Sequence, residues 1–221
     1  MLNTAGLSLF LNGTRETLFM TLFSSAFAYL LGLPLGVALF LTGASRNSLV
    51  SALNKVLGVV TNLLRSVPFI ILFVVMIPVT RAIVGTSVGT KAAIVPLVIS
   101  AAPFIARMVE SSLQEVDRGV IEAAESMGSG QWKIISKVLL PEARPSLISG
   151  AAISVITIMG YSVIAGSLGA GGLGGIAINY GYNRFQSDIM WVAVILLMVI
   201  VQLFQSIGMR IVRKSDKRGT S

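Results

Sequence analysis

The side chains that could take part in chemistry are few and unevenly placed. The chain has no cysteine and no histidine, which excludes a disulfide framework, a thiol nucleophile and an ordinary zinc site. General acid–base chemistry near neutral pH would therefore fall to a carboxylate or a lysine with a shifted pKa. Six of the nine acids lie in one polar segment, residues 110–145, and few lie within the apolar runs. An enzyme active site among those runs is a weak hypothesis.

A glycine-rich run offers a second candidate for chemistry. Residues 169–174 read Gly-Ala-Gly-Gly-Leu-Gly and match the dinucleotide fingerprint G-x-G-x-x-G. That fingerprint works where a strand feeds a glycine turn into a helix N-terminus, whereas an apolar helix is expected to precede these glycines. We predict a helix-breaking or re-entrant backbone that packs closely on its neighbours, with nucleotide binding as the weaker alternative. No G-x-x-x-x-G-K-[ST] phosphate loop occurs in the sequence, so ATP hydrolysis would need another chain.

The elements that must position these residues are membrane helices. Hydrophobic residues make up 54% of the chain, charged residues make up 12%, and the mean hydropathy is +0.86. Several apolar runs reach the length of about 20 residues that crosses a bilayer. We predict an all-α integral membrane protein, one transmembrane domain over residues 1–221, with five spans. The spans are near residues 18–41, 56–79, 92–109, 148–168 and 189–209.

The basic residues predict the orientation. If the C-terminal tail is cytoplasmic, the inner side carries 12 of them: Arg46, Lys55, Arg107, Arg118, Lys133, Lys137, Arg144, Arg210, Arg213, Lys214, Lys217 and Arg218. The outer side then carries 4: Arg15, Arg81, Lys91 and Arg184. Cytoplasmic loops are enriched in Lys and Arg, so the N-terminus is expected outside and residues 110–145 inside. Topological anchoring also accounts for the net charge of +8 without nucleic acid as a partner.

The cytoplasmic segment has the pattern of two short helices joined by a glycine turn. Its apolar positions recur at helical spacing: Leu113, Val116, Val120, Ala124 and Met127 in the first stretch, and Trp132, Ile135, Val138 and Leu139 in the second. Asp117 is a candidate helix cap, Gly128 and Gly130 mark a turn, and Pro141 helps to end the second helix. The alternative is an amphipathic hairpin that packs only on lipid head groups.

Charged and small residues near the spans have structural and functional interpretations. Arg65 either snorkels to water from its span or is a functional charge in the membrane. Arg107 is expected to pair with Glu110 three residues on. Small residues are dense at 100–106 and 160–175, where they either pack helices closely or line a route for a substrate. Tyr161, Ser162 and Ile164 are the candidates for lining or closing a central path.

The polar segment resembles a known signature. Glu122-Ala123-Ala124, then Gly128, then Val138-Leu139-Leu140-Pro141 is similar to the cytoplasmic loop of permease subunits of ABC importers, with Val138 where isoleucine is more usual. The residues at 77–78, 81, 84–87, 92–97, 101–110, 137–143 and 169–174 extend this similarity over most of the chain. Together they resemble the permease subunit of the bacterial methionine ABC importer.

The resemblance implies a type I ABC importer permease in the bacterial inner membrane. It implies a homodimer with two ATPase subunits and a substrate-binding lipoprotein, and ATP is bound by the partner, so this chain holds no cofactor. The hairpin would enter a cleft on the ATPase: Ala123 and Ala124 would allow close approach, Glu122 would meet a basic residue, and Gly128 would make the turn. The alternatives are a permease for other amino acids or small peptides, and a membrane protein that recruits a cytoplasmic partner without transport.

Overall fold

Helices make up nearly all of the computed structural model, which describes residues 4–43, 45 and 47–215. The helices are α1 (Thr4–Gly43), α2 (Ser48–Ser66), α3 (Phe69–Val75), α4 (Ile77–Val84), α5 (Thr90–Gln114), α6 (Arg118–Ser126), α7 (Gln131–Ile134), α8 (Leu140–Glu142), α9 (Arg144–Ala165), α10 (Gly172–Ile176) and α11 (Ser187–Ser215). Wider π turns at Ile135–Leu139, Gly166–Ala170 and Ala177–Tyr182 continue or join them. The prediction of an all-α protein is confirmed.

The apolar runs correspond to long helices. Within the described ranges, α1, α5, α9 with the turn after it, and α11 are each long and apolar enough to cross a membrane, and the bent pair α2–α3 makes a fifth candidate. The predicted first span is too short, because α1 begins at Thr4 and continues through Arg15 and Glu16. A helix boundary follows backbone hydrogen bonding and not the edge of an apolar run, so two charged residues do not end it.

The second span, predicted near residues 56–79, corresponds to the bent pair α2–α3 and not to one straight helix. The chain bends by 101° between α2 and α3, and Val67 there is extended, with φ −78° and ψ 123°. Proline disfavours the helical conformation in the residue before it, so Pro68 breaks the helix at this point. Arg65 lies exposed in the last turn of α2, as expected of a cation that reaches for water.

The core of the fold is the contact between α1 and α5, the most extensive helix pair in the molecule. Gly32 faces Ile105 and Gly36 faces Val109, so the two helices run parallel. A Cβ atom on Gly36 would lie 2.5 Å from the Ala106 carbonyl oxygen, which shows how closely the backbones approach. Small residues permit this approach between membrane helices.

The remaining long helices place two groups of loops at opposite ends of the bundle. α9 runs antiparallel to α5, since Ser146 donates a hydrogen bond to Ser112 at 3.0 Å and Gly150 lies against Met108. α11 returns along α9, with Gly208 against Ala152. The polar hairpin, residues 117–142, therefore lies at one end, and the glycine segment, defined here as residues 166–182, lies at the other. Arg46, Lys217 and Arg218, which were part of the orientation argument, lie outside the described residues.

Candidate functional site

The polar hairpin begins and turns as predicted. The Asp117 carboxylate accepts a hydrogen bond from the Gly119 backbone N–H at 2.7 Å, which caps the first turn of α6. After α6 the chain reverses at Gly128, whose φ is +75°. Glycine adopts this left-handed conformation at no steric cost. The helix, glycine turn and helix of the sequence interpretation are confirmed.

One face of the hairpin packs into the bundle. Ala124 is 3% exposed and belongs to an apolar cluster with Ile134, Ile135 and Leu139 of the following helical segment and Val109 of α5. Ala124 therefore approaches its own chain closely and does not face outward. The expectation that Ala123 and Ala124 allow close approach of an ATPase stays a prediction.

The opposite face of the hairpin is open. Glu122 and Ala123 are exposed, and large apolar side chains lie beside them, with Met127 at 79% and Trp132 at 78% exposure. Val120, Met127 and Trp132, which sequence reasoning counted among the apolar helical positions, thus lie on the exposed side. Val120 lies one turn away from Ala124 at the edge of the contact, Met127 lies past the end of α6, and Trp132 precedes a π turn that shifts the helical phase.

The second half of the hairpin runs directly into α9. The π turn Ile135–Leu139 is closed by the Leu140 N–H, which donates to the Ile135 carbonyl. Leu140 is half-buried, Pro141 is exposed, and the helix continues to Glu142. The prediction that Pro141 helps to end the second helix agrees with an end one residue later, at Glu142. This helix ends before Ala143, and α9 begins at the residue after it, Arg144.

Near the hairpin, Arg107 joins α5 to α2. Its guanidinium forms an ion pair with Glu110 at 2.6 Å, which confirms the predicted contact. The other terminal nitrogen donates to the Gly58 carbonyl and to the Asn62 side-chain oxygen, both at 3.2 Å. The planar, five-donor guanidinium suits such a set of acceptors. Arg107 therefore ties a peripheral helix to the central one.

The structure separates the three predicted path residues at the end of α9. Tyr161 stacks on Phe69 of α3, with ring centroids 4.8 Å apart and planes 8° apart. Ser162 is buried, and its hydroxyl donates to the Met159 carbonyl at 2.7 Å. Ile164 is 37% exposed. Tyr161 thus packs on α3, Ser162 packs inside the bundle, and Ile164 faces outward.

After α9 the glycine segment folds back on that helix. Gly169, Gly171 and Gly172 have φ values of +95°, +89° and +77°. A Cβ on Gly174 would lie 2.5 Å from the Val163 Cα, so close packing is confirmed as the role of this segment. A helix, α9, precedes it and the described part of the chain has no strand, so the context of a dinucleotide fingerprint is missing.

Sequence reasoning missed the residues that hold this segment. Glu16 and Thr17 of α1 accept hydrogen bonds from Gly172 and Leu173, which lie 156 residues away from them along the chain. The only local signal was an acid next to a threonine at the start of an apolar run. Residues so far apart along the chain share no sequence periodicity, so their contact could not be predicted from a local pattern.

Comparison with known proteins gives whole-chain matches. The model of the family described as "binding-protein-dependent transport system inner membrane component" matches residues 28–218. A probable D-methionine transport system permease of Vibrio cholerae is 50% identical over 210 residues, covering 95% of this chain and 93% of that protein. A methionine import system permease of Bacillus subtilis is 46% identical over 207 residues, covering 94% and 93%. The predicted resemblance to methionine-importer permeases is confirmed.

Solved structures agree with these relatives. A chain of the MetNI methionine ABC transporter in inward-facing conformations superposes with a TM-score of 0.94 and 46% identity, covering 98% of this chain and 100% of that one. A chain of an amino acid ABC transporter has a TM-score of 0.77 at 17% identity, covering 97% and 99%, and shares the fold. These relatives are transport proteins and not enzymes. The chain belongs to the family of binding-protein-dependent transport system inner membrane components.

Proposed function

We propose that this chain is the permease subunit of an ATP-driven methionine importer. The observation that carries the proposal is the whole-chain superposition on a methionine ABC transporter, with a TM-score of 0.94 over 98% of this chain. Two copies form the translocation path, and separate ATPase subunits bind ATP and supply the energy. An extracytoplasmic substrate-binding lipoprotein delivers the substrate. The whole chain acts as one permease domain, with the N-terminus outside and the C-terminus in the cytoplasm.

The open face of the hairpin is the surface that meets the ATPase. Exposed large apolar side chains next to a carboxylate are typical of a surface that a protein partner covers. Met127 and Trp132 supply the apolar area, and Glu122 supplies the charge for a basic residue of the ATPase. Ala123, small and exposed, lets the partner's backbone approach α6.

The buried face of the hairpin passes that contact to the spans. Ala124, Ile135 and Leu139 share one cluster with Val109 of α5 and Ile158 of α9. A close-packed cluster transmits displacement because its side chains have no free volume to yield into. Movement of the ATPase therefore reaches the two central spans through this cluster, and through Leu140 and Pro141, which lead directly into α9.

The translocation path lies along an uncovered face of α9. Ile153, Gly160 and Ile164 are exposed at helical spacing, and a Cβ on Gly160 would meet nothing within 4 Å. The same face of a second copy would lie opposite, with Ile164 at an apolar constriction that closes by excluding water, and with Tyr161 beside it, stacked on Phe69 of α3. Ser162, buried and hydrogen-bonded within α9 itself, lies behind this constriction.

The coupling role is tested by uptake of radiolabelled methionine in cells that express the permease with its ATPase. Gly128→Val is expected to abolish uptake, because a β-branched residue is strained at φ +75°. Gly128→Asn is the matched control and should retain uptake, since asparagine tolerates this conformation. Glu122→Lys should also abolish uptake, while all three variants remain in the membrane.

Two outcomes would contradict the proposal. Normal uptake by both Gly128→Val and Glu122→Lys, with the ATPase still bound, would remove the hairpin from the coupling mechanism. Uptake of another amino acid that excess methionine does not compete for would overturn the assigned substrate.

The path is tested by cross-linking. The chain has no cysteine of its own, so Ile164→Cys introduces a single thiol per copy. A disulfide between the two copies in the nucleotide-free or the ATP-trapped complex is expected. Its absence in both complexes would show that α9 does not lie at the dimer axis.

A further inference from the structure

Two side chains of α1 cap the first turn of α10. The Glu16 carboxylate accepts a hydrogen bond from the Gly172 N–H at 2.7 Å, and the Thr17 hydroxyl accepts one from the Leu173 N–H at 2.9 Å. Thr17 is 1% exposed and donates its own proton to the Gly13 carbonyl at 2.9 Å. The first N–H groups of a helix have no partner within that helix, and here a distant helix supplies both acceptors.

The backbone of the glycine segment is shaped to fit these acceptors. A Cβ on Gly171 would lie 2.6 Å from a Glu16 carboxylate oxygen, and one on Gly172 would lie 2.8 Å from the Thr17 hydroxyl. Gly13 provides the matching space on α1, since a Cβ there would collide with Ile176. The two partners therefore approach more closely than residues with side chains would allow.

The capped segment in turn holds the end of α9. Leu173 is fully buried, and the residues after it press on α9: a Cβ on Gly174 would lie 2.5 Å from Val163, and one on Gly175 would lie 3.0 Å from the Gly166 carbonyl oxygen. Val163 and Gly166 flank Ile164. A continuous series of contacts thus leads from Glu16 to the exposed isoleucine.

We infer that Glu16 and Thr17 are positioning residues for transport. They hold the glycine segment on α1 and thereby fix the end of α9, so that α1 and the constriction move together. The inference rests on the proposed function, because it assigns Ile164 to the constriction. Loss of the cap leaves the end of α9 free to move independently of α1, and ATP is then hydrolysed without import.

The cap itself is tested by amide hydrogen exchange on the assembled permease–ATPase complex. Glu16→Ala and Thr17→Val are expected to accelerate exchange in the peptide that contains Gly172 and Leu173 by about 10- to 100-fold, the range expected for loss of a hydrogen bond that involves a charged or buried group. Glu16→Gln and Thr17→Ser keep an acceptor and should change exchange far less. Arg15→Ala, on the exposed side of the same turn, is the control for α1.

Positioning is tested by the number of ATP molecules hydrolysed per methionine imported. The ratio should rise in Glu16→Ala and Thr17→Val, and stay near the wild-type value in Glu16→Gln, Thr17→Ser and Arg15→Ala. A purely structural cap would lower the amount of folded protein without changing this ratio. Apparent melting temperatures of the variants distinguish such a loss of folding from uncoupling.

The outcomes are separable from those of the proposed path. Unchanged exchange at residues 172 and 173 in both disruptive variants would overturn the cap. Accelerated exchange with an unchanged ratio would overturn the positioning role. Failure of Ile164→Cys to cross-link in otherwise wild-type protein would instead remove α9 from the dimer axis, while the exchange data would still decide the cap.

Discussion

The contact between α1 and α5 gives a prediction whose size follows from the structure. Gly36 is the closest point, and replacing it with alanine adds one methyl group against α5. That carbon would lie 2.5 Å from the Ala106 carbonyl oxygen and 2.6 Å from the Val109 Cβ. Carbon atoms prefer a separation of about 3.5–4.0 Å, so the helices must separate by roughly 1 Å.

This separation determines the expected loss. A gap of about 0.5–1 Å forfeits a quarter to a half of each dispersion contact, and overpacking of a close-packed interior costs about 1–3 kcal/mol. The upper part of that range, about 2–3 kcal/mol, applies here because the added atom meets a backbone carbonyl oxygen. Alanine offsets part of this, since its helix propensity exceeds that of glycine by about 1 kcal/mol. We expect Gly36→Ala to destabilise the protein by about 1–2 kcal/mol, and Gly32→Ala, with a Cβ 2.7 Å from Ile105, to do the same.

The assay is thermal unfolding of the detergent-solubilised complex, followed by size-exclusion chromatography of the heated samples. A chain of this size shifts its melting temperature by about 2–4 °C per kcal/mol, so a decrease of about 2–8 °C is expected for Gly36→Ala. Gly43→Ala, at the end of the same helix, is the matched control, because its Cβ would meet only the Asn54 side chain at an ordinary contact distance of 3.6 Å. An unchanged or higher melting temperature for Gly36→Ala would refute the close approach of these helices.

Three further predictions concern other contacts. Arg107→Met removes the bridge between α5 and α2 and should accelerate amide exchange or proteolysis in α2 by several-fold. Arg65→Met, at an exposed position, should leave these rates unchanged. Equal rates of exchange in the two variants would contradict the bridge. An impermeant thiol reagent added to intact cells should label Phe185→Cys, 90% exposed, but not Met127→Cys, 79% exposed, and the reverse pattern would invert the orientation. Gly174→Ala should lower the melting temperature more than Gly36→Ala, because the three atoms nearest its Cβ all belong to the Val163 backbone, whereas two of the three nearest Gly36 belong to the Val109 side chain, which can yield; a smaller decrease would contradict this.

The features that sequence alone predicted are local ones. Apolar runs located the long helices, and the hairpin was recognisable because a cap at Asp117 and a turn at Gly128 have chemistry that depends on one or two residues. The ion pair of Arg107 with Glu110 follows from helical spacing in the same way. Each of these inferences needs only a few consecutive residues.

The features that sequence alone missed depend on the position of other elements. Pro68 was visible, but membrane helices tolerate proline, so the 101° bend needed the positions of α3 and α5. Exposure of Met127 and Trp132 depends on where the hairpin ends against the bundle. The acceptors for Gly172 and Leu173 come from α1, and no local pattern links such distant residues.

The charged pair Arg15 and Glu16 determines how deeply α1 can sit in its lipid. α1 has 40 residues, which at about 1.5 Å per residue gives roughly 60 Å, about twice the hydrocarbon thickness of ~30 Å. Its apolar run, residues 18–41, is only about 36 Å long, so the turns before it extend beyond the hydrocarbon. Charges are costly in hydrocarbon, so a thicker bilayer cannot draw α1 inward past Arg15. Because Glu16 also caps α10, the same residue fixes the depth of α1 and of the glycine segment.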